Sequence, residues 1–98
     1  MAKKLVPCVD HENGHITKLR VSGLDSTTLW TTKVRSEVVA EIEVGIEHRT
    51  YFWDGKEYKV GAKIEVVPVD GVKYLRTDGN KTPKDNLGSL PSLGSCPF

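Results

Sequence analysis

Apolar Tyr58, Val60, Ala62, Ile64 and Val66 alternate strictly with Glu57, Lys59, Gly61, Lys63 and Glu65. A period of two is the signature of a strand with one buried face, and it predicts one long strand here, with Gly61 on the outer face as the place to bend or bulge. Asp54-Gly55 and Asp70-Gly71 each lie between apolar, β-branched or aromatic residues, the strongest local hairpin signal. As two-residue turns they pair Trp53 with Lys56, Tyr51 with Tyr58, Val69 with Val72 and Val66 with Leu75. Asn13-Gly14 likewise joins Leu5 to Val9 and Ile16 to Val21 in a first hairpin.

One segment has helical spacing. Val34, Val38 and Ile42 recur every fourth residue, Val39 and Ile46 widen the stripe, and Lys33, Arg35, Glu37, Glu41 and Glu43 occupy the other positions. A helix of roughly three turns follows from this spacing, entered from Leu29-Trp30 after a polar loop over Gly23 to Thr28. Thr31 and Thr32 are residue types that cap, but neither has a Glu three residues later. Gly45 stands where a left-handed residue closes a helix at least cost.

The fold class expected is α+β: a mostly antiparallel sheet of about five strands, in β-β-α-β-β-β order, with one amphipathic helix on one face. The alternation puts Tyr51, Trp53, Tyr58, Val60, Ala62, Ile64, Val66 and Leu75 on the helix-covered face, and Phe52, Val67, Val69, Val72 and Tyr74 on the other. One short helix covers only one side of a sheet, so the second patch needs another cover. Leu87 and Leu90 of the tail are the first candidate, and a second copy of the chain is the next. Pro68 cannot donate to a ladder and places its strand at an edge or bulge. A single domain over 1–98 is expected, with a core from about 5 to 91 and loosely ordered ends at 1–4 and 92–98.

The order of elements and three runs of residues carry a resemblance. They are Ser36-Glu37-Val38-Val39-Ala40-Glu41-Ile42-Glu43, Lys73-Tyr74-Leu75-Arg76-Thr77 and Asp85-Asn86-Leu87-Gly88-Ser89-Leu90-Pro91. From about Val6 to Pro91 the chain resembles the uncharacterised, mainly bacterial family catalogued as domain of unknown function 3892. Val34 departs from that pattern, which leads one to expect a Ser or Thr cap facing Glu37. The resemblance implies a small bacterial protein and brings no catalytic residues.

Charge gives little direction: Lys plus Arg is 14, Asp plus Glu is 13, and the formal charge is +1. Such a balance supplies no field that selects nucleic acid or membrane. The start, Met1 to Cys8, has basic residues without the apolar run of a signal peptide, so a cytoplasmic location is expected. Cys8 and Cys96 stand near opposite ends, unlike the dense cysteines of small secreted domains. Free thiols are the favoured reading, with a bridge between them as the alternative. Asn80-Lys81-Thr82 matches a glycosylation pattern and reads as a polar turn without a secretory signal.

Candidate chemistries are sparse. Cys8, His11 and His15, with Cys96 returning, offer four zinc-ligand types, but the paired knuckles of structural zinc sites are lacking. No nucleophile elbow, Walker loop, dinucleotide fingerprint or calcium loop occurs. Asp54, Glu57, Glu65, Asp70 and Asp85 read more simply as turn and surface residues than as a glycosidase pair. No cofactor, metal site or catalytic residue is therefore expected. Arg49, Lys59, Lys63, Lys73 and Arg76 lie near Tyr51, Phe52, Trp53 and Tyr74, the ingredients of a base-stacking sheet. That reading is weakened by interspersed acids and by the assignment of most of these aromatics to the core. Asp85-Asn86 reads as the cap of a short turn that docks Leu87 and Leu90, with Arg76 as charge partner of Asp85. The function expected is a non-catalytic accessory or interaction domain. Its partner is another protein or a second copy of the chain, met at a strand edge or at the patch of Phe52, Val67, Val69, Val72 and Tyr74.

Overall fold

A computed structural model of the chain describes residues 3–12, 15–77, 87 and 90–98. In chain order these give β1 (Lys3–Val6), β2 (Cys8–Glu12), β3 (His15–Ser22), β4 (Trp30–Val34), α1 (Arg35–Glu43), β5 (Glu47–Trp53), β6 (Tyr58–Lys63), β7 (Glu65–Val69), β8 (Val72–Arg76) and a 3-10 turn at Leu93–Ser95. The class is α+β with one helix, but the strands form three sheets, ordered β1-β5-β6, β2-β3-β4 and β7-β8. All described pairings are antiparallel except β1 with β5.

Three local causes replace the single five-stranded sheet with this arrangement. Pro7 has no amide hydrogen and interrupts the strand expected over Leu5 to Val9. The halves become β1 and β2 and enter different sheets. Ile64 ends the long alternating strand: its amide donates to the His48 carbonyl at 2.8 Å and its side chain is fully buried. Leu29-Trp30 leads into a strand rather than a helix, because Trp30–Val34 pairs with β3 from Ser22↔Trp30 to Lys18↔Val34.

The helix is therefore shorter than its apolar spacing. Val34 is an extended N-cap whose side chain makes no capping bond, and it faces solvent instead of the core. Val38 and Val39 are buried and Ile42 packs against them. Gly45 adopts φ +99°. Its amide donates to Ile42 O, and the Ile46 amide to Glu41 O, the paired bonds of a Schellman ending.

Val6, Val9, Ile16, Leu19, Val21, Val38, Val39, Ile64 and Leu75 form the core, joined by Leu87. The helix lies against β3, β4 and β7 and meets β5 only near its start, through Glu41 and His48, so the turn end of the β5–β6 hairpin is left open. Tyr51, Trp53, Tyr58 and Val60, expected beneath the helix, are accordingly half-buried or exposed.

The hairpins divide. At Asp70-Gly71 both central residues have positive φ, as a type I′ turn requires, and the expected pairs Val69↔Val72 and Val66↔Leu75 form. At Asp54-Gly55 the loop is longer, and Trp53 pairs with Tyr58 instead of Lys56, and Tyr51 with Val60. The Asp54 carboxylate accepts the Lys56 and Glu57 amides at 2.8 Å each, which closes a four-residue loop. A bulge at Gly61 and Ala62 faces Thr50, where a Cβ on Gly61 would stand 2.3 Å from Thr50 Oγ1.

Hydrogen bonds and a disulfide tie the described residues near both ends to the body of the domain. β1 is stitched by Ser22 Oγ, which accepts the Leu5 amide at 2.8 Å, and by Asp25, which accepts the Lys3 amide through its side chain. Cys8 and Cys96 form a disulfide across 88 residues, so the free-thiol reading is overturned. Leu87 does not cover the Val67, Val69, Val72 and Tyr74 face; at 3% exposure it packs with Leu75 and Val38 on the opposite side of the β7–β8 hairpin. Truncating a fully packed Leu costs about 2–5 kcal/mol. Leu87→Ala is expected to lose that much in chemical denaturation, while Val72→Ala, at an exposed position, shifts stability by about 0.5 kcal/mol or less. Equal effects at the two positions would contradict this placement of the tail.

Candidate interaction surface

Left open by the helix at its turn end, the β5–β6 hairpin carries a row of aromatic rings. Tyr51 stacks on Tyr58 at 5.1 Å between centroids, and Trp53 meets Tyr58 edge-on at 5.3 Å. Trp30, from β4, approaches Tyr51 at 6.1 Å. Phe98 fills the space between the sheets, 4.4 Å from Trp30, 5.7 Å from Tyr51 and 4.8 Å from Tyr58. Trp53 is 57% exposed and Val60, on the same face, 45%, so the row is open to a partner. A pocket of about 140 Å³ opens beside it, between Tyr51, Trp53, Tyr58, Leu90 and Pro91.

The expected patch is divided by the structure. Phe52 belongs to β5, away from the others. Val67 and Tyr74 are buried, Val69 is half-buried and Val72 is exposed. Tyr74 is covered by His15, which stacks on it at 5.6 Å, and by the Arg35 guanidinium 6.0 Å from the ring centroid. Leu90 is half-buried against the core. Arg76 is buried, whereas Asp85 and Asn86 lie outside the described residues, as do Asn13-Gly14 and Asn80-Lys81-Thr82.

The candidate zinc set does not assemble. Both sulfurs are spent in the disulfide and His15 lies on Tyr74, so no pair of thiolates faces a histidine. No group of three metal-ligating side chains occurs among the described residues.

A cavity of about 500 Å³ lies where α1 ends, between its last turn and the β7–β8 hairpin. Ile42, Ile46, Ile64, Val66 and Pro68 make its apolar floor, and the Lys73–Glu43 ion pair at 2.6 Å sits on its rim. Glu47, Glu65 and Lys63 also line it, and two of its three carboxylates are held in ion pairs, Glu43 with Lys73 and Glu47 with Arg49; no histidine joins them to make an acid–base pair.

Sequence reasoning missed the charged cluster around Glu41. Its Oε1 accepts from Lys4 Nζ at 3.0 Å and lies 3.2 Å from His48 Nε2, and its Oε2 binds Lys33 Nζ. His48 is fully buried, with Nδ1 3.0 Å from Ile46 O. Burial pushes the imidazole below its ordinary pKa, outweighing the Ile46 carbonyl and the Glu41 carboxylate. Burial raises the Glu41 carboxyl, but the Lys33 and Lys4 bonds outweigh it and hold the group low. The bond to Glu41 in turn raises Lys33. The only sequence signal was His48 between apolar Ile46 and Thr50-Tyr51 in a strand.

Comparison with family models matches residues 2–91 to the family described as Protein of unknown function (DUF3892). The chain belongs to that family. No curated protein and no solved structure matches it. For this DUF3892 chain, as for its family, the function is unknown, and the geometry carries the reading. No helix among the described residues is long and apolar enough to cross a membrane.

A buried neutral histidine whose pKa is depressed stabilises the fold fully above its unfolded value and loses that contribution as pH falls. Glu41, also depressed, acts in the same direction at lower pH. Stability is expected to fall from about pH 6.5 downward, by at most about 1.4 kcal/mol per pH unit for His48, and to fall again below about pH 4.5. Chemical denaturation from pH 8 to 4 measures it. His48→Gln should flatten the upper part of the slope, and a slope unchanged in that variant would contradict the assignment.

Proposed function

We propose that the chain is a non-catalytic interaction domain that binds a polypeptide through the aromatic face of the β5–β6 hairpin. The observation that carries this is the surface row Trp30, Tyr51, Tyr58 and Trp53, with Trp53 open to solvent. Aromatic side chains offer large contact area at low entropic cost, and exposed groups of them mark binding faces. Enzyme chemistry has less support, because the best-placed acid–base pair, buried His48 and half-buried Glu41, is bound up with Lys4 and Lys33. The polypeptide is another protein or a second copy of the chain. Edge pairing through β6 is less favoured, since Lys59 and Lys63 and the Gly61 bulge are the devices by which natural edges avoid pairing.

A second reading draws on the same rings. Tyr51, Trp53 and Tyr58, at the surface instead of in the core, form a platform on which single-stranded bases can stack. The cations around them are engaged: Lys59 with Asp54 at 2.8 Å, Arg49 with Glu47 at 2.6 Å, and Arg20 with Phe98 O and Thr32. Phosphate contact would have to displace those partners, so protein binding is preferred. The expected cytoplasmic location of a bacterial protein goes with a bridge that opens, since cytosolic disulfides are mostly transient.

Selection of displayed random peptides on both the oxidised and the dithiol-reduced protein tests the main reading, enrichment on either form supporting it. Peptides carrying aromatic residues should be enriched, and Trp53→Ala should weaken them at least tenfold with the far-UV spectrum unchanged. No enrichment, or binding indifferent to Trp53, would refute it. A salt-sensitive shift of a single-stranded oligonucleotide without peptide binding would favour the second reading, and a concentration-dependent dimer in sedimentation would identify the second copy as the polypeptide.

A further inference from the structure

Phe98 is not an ordinary part of this aromatic surface. It arrives at the end of a segment that leaves the core at Leu90 and is fixed to β2 at several points. The Val9 amide donates to Pro91 O at 3.0 Å, the Leu93 amide to Asp10 Oδ1 at 2.9 Å, and Cys96 is bonded to Cys8. Two residues later the Phe98 ring drops between Trp30, Tyr51 and Tyr58, and Arg20 Nε donates to the Phe98 main-chain oxygen at 3.0 Å. Ring slot and guanidinium together have the form of a receptor for an aromatic residue of a peptide, filled by the chain's own tail.

We propose that this slot binds a partner peptide presenting one aromatic residue, that Phe98 occupies it while the Cys8–Cys96 bridge is closed, and that reduction of the bridge vacates it. The proposal rests on the interaction-domain reading above and adds its ligand chemistry and its control. Phe98 itself argues for the occupant: it shows which ring size fits and which main-chain atom Arg20 meets. The tether argues for the control. With the bridge closed, Phe98 stands two residues from a covalent anchor, and a tethered competitor acts at high effective concentration. With the bridge open, the nearest apolar anchor is Leu90, eight residues away, and the competitor is diluted.

The chemistry requires a dithiol reductant. Cys8 is fully buried and Cys96 is half-buried, so the attacking thiolate reaches Cys96 Sγ. The reagent–sulfur bond forms, the Cys8–Cys96 bond breaks, and Cys8 leaves as a thiolate that takes up a proton. The reagent's second thiolate then attacks its own sulfur in the mixed disulfide. Cys96 departs as a thiol and the reagent becomes a cyclic disulfide, with two electrons and two protons delivered to the protein.

The test uses the whole chain in three forms: oxidised, reduced by dithiothreitol, and oxidised with Phe98→Ala, which opens the slot without touching the bridge. The probe is a fluorescent peptide of residues 92–98 carrying C96S, followed by anisotropy, while tryptophan emission reports the departure of Phe98 from Trp30. Both open forms should bind the probe at least tenfold more tightly than the oxidised wild type, and Trp30→Ala in the Phe98→Ala background should abolish that gain. Oxidised Phe98→Ala that ignores the probe would overturn the slot, while peptide binding that depends on Trp53 would still carry the surface reading. Probe binding by Phe98→Ala but not by folded, reduced wild type would overturn the redox control alone. Reduction that abolishes the far-UV spectrum would also overturn the control, because the bridge would then serve the fold. A reduced dimer with exchanged tails would show the slot refilled by a second copy and would overturn the partner peptide.

Discussion

The return of the tail onto β2 is the constraint that decides how the aromatic surface is covered. Three modest sheets share one core, and the helix spans only part of it. Leu87 completes that core, the main-chain bonds of Val9 and Leu93 align the tail with β2, and the Cys8–Cys96 bridge closes a loop spanning 88 residues. In the chain-entropy model such a loop is worth about 4–5 kcal/mol. Net stabilities of small domains run about 5–15 kcal/mol. The bridge adds to a core that is packed without it, and it sits two residues from the ring that covers the aromatic surface.

Polar chemistry and aromatic surface are kept apart. The Glu41 cluster draws Lys4 of β1, Lys33 of β4 and His48 of β5 to one helix side chain. It joins the two three-stranded sheets through α1 at a place where ridges of apolar side chains alone would not specify register. Satisfied buried networks of this kind set geometry more than they add net stability. The aromatic row lies outside this cluster, at the end of the β5–β6 hairpin away from His48.

Local signals were legible where local chemistry decides. Asp70-Gly71 dictated its turn and register, Gly45 ended the helix, and Gly61 marked the bulge. The α+β class and the family resemblance also followed from residues on the page. Long-range pairing was not legible. Nothing local distinguishes Lys3–Val6 as a strand that pairs in parallel with β5, or Ile64 as the point where the chain changes sheets. Val34 misled because its spacing from Val38 suits a helix, while its backbone pairs with Lys18. The aromatics of β5 and β6 misled because alternation defines two faces without saying which one is covered. Cysteines 88 residues apart carry no spacing signal, so the bridge was visible only once both ends met.

Residue-resolved hydrogen exchange on the oxidised and dithiol-reduced protein tests this account most directly. If the bridge holds the tail on an otherwise self-sufficient core, the Leu93 amide loses its protection on reduction while the amides of β3 keep theirs. Uniform loss of protection through β3, or an unchanged Leu93 amide, would contradict it.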